Sequence, residues 1–330
     1  MAIVSNDKLT EAFSLALEDR SRGYADLVSN ANAILSVMKQ KGGMKTFSGP
    51  TIRERLLYAE SGTYVRYSGY DFLNPAPAEL FSDAEFTPKL AAVSVTLSGE
   101  DILKNSGAAQ LKDVMEEHIS AAERELTDRF VEDLHSAGTL TNQIGGLQLA
   151  VPTVATSGTY GGIDRAAVPL WQTGSYDATT DFSAATTAAN IHDQYTRVLI
   201  ARSRGKNGPN LIAADATHFR LFQSALVTIQ RVTKEGKLAT LGFPSLAFAG
   251  AGYELDVVLE GGIGSAMPAN TSYFLKLGED GLRFRYHADR NFVAFGGKQR
   301  PVNQDAVVQH IGFYGNLTMA NPLFQAKLTD

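Results

Sequence analysis

The chain has 330 residues, of which 44% are hydrophobic and 20% charged, with a formal net charge of −5 at pH 7. That length allows a large core in one or two domains, and the composition excludes a disordered or fibrous chain. The acidic balance argues against a protein built to grip phosphate backbones, and the absence of cysteine excludes disulfide staples, thiolate zinc sites and cysteine nucleophiles.

Met1 to Asp7 contain no basic stretch leading into an apolar run, and every apolar run is broken by charges before it could span a bilayer. A soluble cytoplasmic product without a membrane partner is the expectation. Asn6 or Asp7 can cap a helix with Leu9, Phe13, Ala16 and Leu17 on one face. A second helical pattern runs through Tyr24, Leu27, Val28, Ala31, Ile34, Leu35 and Met38 and stops at Gly42-Gly43. Residues 1 to 44 therefore read as a helical arm.

From Thr46 to Ser98 the period changes to two. One strand limb is expected from Thr51 to Tyr67 and a return limb from Phe86 to Leu97, where Val93, Val95 and Leu97 alternate with Ser94, Thr96 and Ser98. The turn-rich Ser68 to Pro77 lies between them and makes the tip of a long hairpin. An isolated two-stranded ribbon is marginal in water, so this hairpin requires a partner surface. Its rings Tyr64, Tyr67, Tyr70 and Phe72 suit an intersubunit anchor, with the edge of a core or a ligand platform as the other readings. Arg53, Glu54, Arg55, Glu60 and Arg66 would set register between copies, against the plainer reading of a solvated strand face.

The strongest helical signal spans Gly107 to about Ser136. Leu111, Met115, Ile119, Ala122, Leu126, Phe130 and Leu134 recur every three or four residues, and acidic residues occupy the other faces. Such a helix is about 45 Å long. A strict heptad would put Glu125 and Arg129 in the seam, so a helix lying across a sheet is expected in preference to a coiled coil. Residues 138 to 183 read as a loop-dominated excursion marked by Gly145-Gly146, Gly161-Gly162 and the single Trp171. A helix bearing Ile191, Tyr195, Val198 and Leu199, a strand at 210 to 214 and a helix capped by Asp215 make a compact α/β unit. Strands are expected at Tyr253 to Leu259, Thr271 to Leu277, Leu282 to His287 and Val307 to Met319, so the fold class is α+β.

No phosphate loop, dinucleotide fingerprint, HExxH or GxSxG motif occurs. No two of the six histidines lie three or four residues apart, and the carboxylates Glu116, Glu117, Glu123 and Glu125 fit a solvated helix face. No catalytic residue, cofactor or metal is expected.

The order of arm, long hairpin, long helix, α/β unit and closing antiparallel sheet resembles the tailed-phage major capsid protein of the Hong Kong 97-like fold. The resemblance also rests on Tyr67-Ser68-Gly69-Tyr70, on Gln143-Ile144-Gly145-Gly146-Leu147, and on Gly161-Gly162-Ile163-Asp164-Arg165 ahead of Trp171. It implies an N-terminal arm (1–44), an E-loop (45–99), a P-domain spine helix (100–137), a mainly A-domain segment (138–250) and closing strands of both domains (251–330). A self-assembling shell subunit follows, forming pentamers and hexamers of an icosahedral head around double-stranded DNA bound without sequence readout. Portal protein would be a partner, and a separate scaffold and decoration proteins are compatible partners. Assembly would occur in the host bacterial cytoplasm and the product would reside in the virion. Glycine-rich segments, 138–183 with Gly42-Gly43 and Gly99, are where flexibility between pentamer and hexamer is expected, and Lys8, Arg20 and Arg22 are candidate genome contacts. The hairpin begins too early to leave room for the cleaved scaffolding segment of some members, and the Lys–Asn cross-link of others is not expected. The alternatives are an encapsulin-like compartment, a tail-tube or adhesion protein, and a hydrolase, which would require a clustered Ser, His and Asp.

Overall fold

The computed structural model describes residues 32–57, 63–73, 81–100, 108–228, 244–260, 266–300 and 303–330. The first expected arm helix, the start of the second, Lys8, Arg20, Arg22 and Glu60 lie outside these residues, as do the side chains of Leu111 and Met115.

Two hydrophobic cores organise the described chain. The first is built on a four-stranded sheet in the order β1 (Met44–Thr46), β12 (Leu282–Gln299), β13 (Ala306–Met319), β4 (Lys89–Ser98). Across it lies α2 (Ala108–His135), the long helix read from the sequence. Its face of Ile119, Ala122, Leu126, Phe130 and Leu134 is buried, whereas Glu117, Glu125, Asp128 and Glu132 are exposed. Phe130 meets Phe284, Phe292 and Phe313 edge-on at centroid distances of 5.4, 5.1 and 5.2 Å, which locks the helix to β12 and β13.

The second core is a six-stranded sheet in the order β7 (Gly174–Asp177), β14 (Ala326–Thr329), β11 (Thr271–Leu275), β8 (Leu211–Ala214), β10 (Tyr253–Leu259), β9 (Ser245–Gly250). Tyr195 of α5 (Ile191–Ala201) and Phe222 of α6 (Ala216–Thr228) pack with Phe248 and Phe274 of the sheet. Asp215 caps α6 as expected, accepting the His218 N–H at 2.9 Å.

Four sequence expectations are corrected. The return limb Phe86 to Leu97 is two strands: β3 (Phe81–Phe86) pairs with β2 (Ile52–Leu57), and β4 leaves the hairpin to pair with β13. Thr87-Pro88 divides them, because proline has no N–H to continue the first ladder. The strand expected at 282 to 287 runs to Gln299. Its pattern is concealed by polar residues and by register shifts, one at Phe292, whose φ of +57° marks a bulge. The 33–38 stretch of the presumed arm belongs to the first core: α1 (Ala33–Gln40) buries Ile34, Leu35 and Met38 completely. Finally, much of the loop-rich excursion is packed down. Ile144, Leu147, Val151, Tyr160 and Trp171 are buried in the first core, and the Gly99 N–H donates to the Asp305 carbonyl at 2.8 Å.

Candidate assembly surface

The hairpin divides into a clamped root and an exposed tip. At the root, Ile52, Glu54 and Leu56 face inward while Arg53 and Arg55 face outward, as strand alternation requires. The Glu54 side chain is only 3% exposed. Its carboxylate accepts from Arg283, from Arg285 Nε at 2.9 Å and from Thr318 Oγ1 at 2.9 Å, tying the hairpin to β12 and β13. Burial lowers the pKa of Arg283 and the Glu54 charge opposes that shift. Arg53 instead pairs with Glu85 across the hairpin at 2.9 Å, in full view of solvent. Of the charges assigned to intersubunit register, Glu54 is therefore an internal clamp.

Both glycine pairs support this root. Gly146 lies so close to the end of α2 that a Cβ there would approach Asp133 O to 2.4 Å and Leu134 O to 2.5 Å, which only glycine avoids. Its neighbour Gly145 donates its N–H to Asn316 Oδ1 on β13. Gly161, at φ +59°, turns the small ribbon β5 (Thr159–Tyr160) to β6 (Ile163–Asp164), with Gly162 beside it, and accepts the Glu85 N–H at 2.9 Å. Tyr160 then stacks on Trp171 and meets Phe86 edge-on, while Trp171 Nε1 donates to the Tyr160 carbonyl at 2.8 Å. Arg165 is buried and donates to the carbonyls of Leu149 and Ala150, both at 2.9 Å. Asp164 stays exposed and caps the Ala166 N–H. These family-like turns thus buttress the hairpin.

The tip residues 63–73 are exposed throughout, with Tyr70 and Phe72 at 104% and 98%. Ser68 and Asp71 close a turn there, the Ser68 N–H donating to Asp71 Oδ2 at 2.8 Å. Tyr64, Tyr67 and Leu73 add to an apolar patch on a chain segment with no core of its own, the mark of an interaction surface. Arg66 is exposed among them. The structure brings Tyr64, Arg66, Tyr67, Tyr70 and Phe72 together at the tip and places Arg53 and Arg55 at the root.

A hydrolase would require a clustered Ser, His and Asp. Ser272, His218 and Asp215 do meet in the second core, with His218 Nδ1 2.8 Å from Ser272 Oγ. Tyr195 OH shares that hydroxyl at 2.7 Å. The Asp215 oxygens accept backbone N–H groups of His218, Thr217 and Asn270, so the carboxylate caps a helix and does not orient the imidazole. Ser272 and His218 are fully buried, and burial lowers the His218 pKa. The arrangement is a core hydrogen-bond set that no substrate reaches. Among the described residues, no group of three or more His, Asp and Glu side chains could hold a metal ion.

A titratable node joins the two cores. Glu260, just after β10, accepts from Asn32 Nδ2 at 2.7 Å, and His135 Nε2 lies 3.7 Å from the same oxygen. Burial raises the Glu260 pKa to about 7, against the lowering by Asn32 and the N–H groups that open α1, while burial lowers that of His135. The folded state therefore holds a proton on Glu260 that the unfolded chain releases near its ordinary value of 4.5, so its effect on stability weakens the fold as pH rises from about 4.5 to 7 and levels off above. Glu260→Gln is expected to gain on the wild type across that window by up to about 3 kcal/mol, read as diverging thermal midpoints. Midpoints that stay parallel from pH 4.5 to 8 would refute it.

No protein-family model matches the chain, and no curated protein matches it. Solved structures do. The cyanophage A-1(L) capsid asymmetric unit is similar over 88% of this chain and 90% of that one, with a TM-score of 0.62 at 17% identity. The SrpI encapsulin complex from Synechococcus elongatus PCC 7942 is similar over 89% and 86%, with a TM-score of 0.55 at 11% identity. The virus-like particle from Pyrococcus furiosus is similar over 94% and 98%, with a TM-score of 0.51 at 10% identity. The chain has the Hong Kong 97-like fold.

Proposed function

We propose that this chain is a major capsid protein that self-assembles into the pentamers and hexamers of a phage head, acting as structure and not as an enzyme. The observation that carries the proposal is the hairpin: a root fixed by Glu54, Arg283 and Arg285 holds out a tip whose large rings are exposed. Laid over a neighbouring subunit, that tip buries aromatic area of the kind that anchors interfaces, and a head-to-tail contact of this type closes rings. The enclosed partner is double-stranded DNA held without sequence readout, with portal protein at one vertex and scaffold or decoration proteins as auxiliary partners. The virion is the final location, after assembly in the bacterial host.

An encapsulin-like compartment is the second reading, favoured by the likeness to the SrpI shell. The contents of purified particles discriminate: nuclease-protected DNA supports the phage head, a co-purifying cargo enzyme the compartment. The shell reading itself is tested by size exclusion and negative-stain imaging of the protein expressed alone and with its neighbouring genes. Rings or closed particles are expected, and Tyr70→Asp with Phe72→Asp is expected to abolish them while leaving a folded subunit. A wild type that stays monomeric under every condition overturns the proposal.

A further inference from the structure

Beside the hairpin root the structure holds a cleft of about 470 Å³, bounded by β2, the 163–171 segment, the turn after α5 and residues 320–324. Its volume lies within the range of clefts that enclose ligand-sized groups, roughly 300–1,000 Å³. Arg55, Arg202 and Arg204 line it, and no carboxylate does. Apolar lining comes from Leu170 and Leu323, each still 37% exposed, and from buried Trp171. Arg202 is pre-oriented, because its Nε donates to Tyr176 OH at 2.9 Å and its guanidinium lies 5.4 Å from the centre of that ring. The polar lining of the cleft is thus three arginines with the neutral Ser203 and Asn321, and the rest is largely apolar. Its complement is an acid flanked by large apolar groups.

We infer that this cleft is the seat for the Tyr70-Asp71-Phe72 turn of a second copy of the chain. That turn presents one carboxylate between two fully exposed rings, matching the cleft in both charge and apolar character. Tip and cleft are different surfaces of one molecule, so the contact is heterologous and passes from each copy to the next. The inference rests on the shell reading and names the receiving surface within it. It also gives the Trp171 block a second task, since the residues that brace one copy's hairpin root form part of the wall against which the next copy's tip rests.

The wild-type chain has no cysteine, so a trapped disulfide reports the contact without background. Phe72→Cys combined with Leu323→Cys, assembled and then mildly oxidised, is expected to run as a ladder of covalent multimers on a non-reducing gel. Each single variant should run as a monomer, and a mixture of the two should stop at dimers. Charge reversal gives an independent reading: Asp71→Arg and Arg204→Asp should each lower the assembled fraction about tenfold, and the two together should restore most of it. Particles of the double-cysteine variant that yield no ladder, or single charge reversals that assemble like the wild type, overturn the seat and leave the shell reading standing. A wild type that never assembles overturns both.

Discussion

Glu54→Ala is expected to destabilise the subunit by about 3–5 kcal/mol, because it strands two partly buried guanidinium groups that share this one carboxylate. Arg53→Ala, one residue away on the outward face, breaks only the exposed pair with Glu85 and should cost about 0–1 kcal/mol. Urea unfolding of the unassembled chain separates the two, and the single Trp171, packed within the block that braces the hairpin root, supplies a local fluorescence signal. Equal losses for the two variants would mean that Glu54 does not clamp the root. The expected functional companion is loss of assembly by Glu54→Ala at denaturant concentrations where the subunit is still folded, since a swivelling root no longer aims the tip.

Phe130→Ala is expected to cost about 3–5 kcal/mol, the range for deleting a buried aromatic ring, through lost burial and the cavity left among Phe284, Phe292 and Phe313. The milder Ile119→Val on the same helix face should cost about 0.5–1.5 kcal/mol. Hydrogen exchange adds a spatial test: protection in β12 and β13 should fall first in the Phe130 variant. If the loss is below that of Ile119→Val, the three-ring contact is not what fixes the helix to the sheet.

Legibility in the sequence followed how far local pattern determined the outcome. The long helix was readable because its apolar spacing persists from Leu111 to Leu134 with charges on the remaining faces. Strand β4 was equally clear from its alternation, yet its partner was not, since nothing local says that Val93 pairs with Ile311 and not with the first hairpin limb. The second half of β12 was hidden because a bulge at Phe292 and the Gly296-Gly297 pair break the period of two. The hairpin tip was read from exposed-turn chemistry and proximity in sequence. Glu54 was missed as a clamp because Arg53-Glu54-Arg55 looks like a solvated charge run. The available signal was parity: Glu54 lies two residues from both Ile52 and Leu56 and so shares their inward face. The cleft was beyond any sequence reading, because its walls come from four separated segments.

The clamp also orders events in time. Glu54 leaves the ribosome long before Arg283, 229 residues later, and Thr318, 264 residues later, so the clamp on the hairpin root has none of its partners during most of synthesis. Contacts of such separation form late, after the chain between them has been made and loop-closure entropy overcome. In the proposed shell, a tip would therefore be aimed at a neighbour only after the sheet that receives Glu54 is complete. On that reading the chain could join a neighbour only once most of its own length exists.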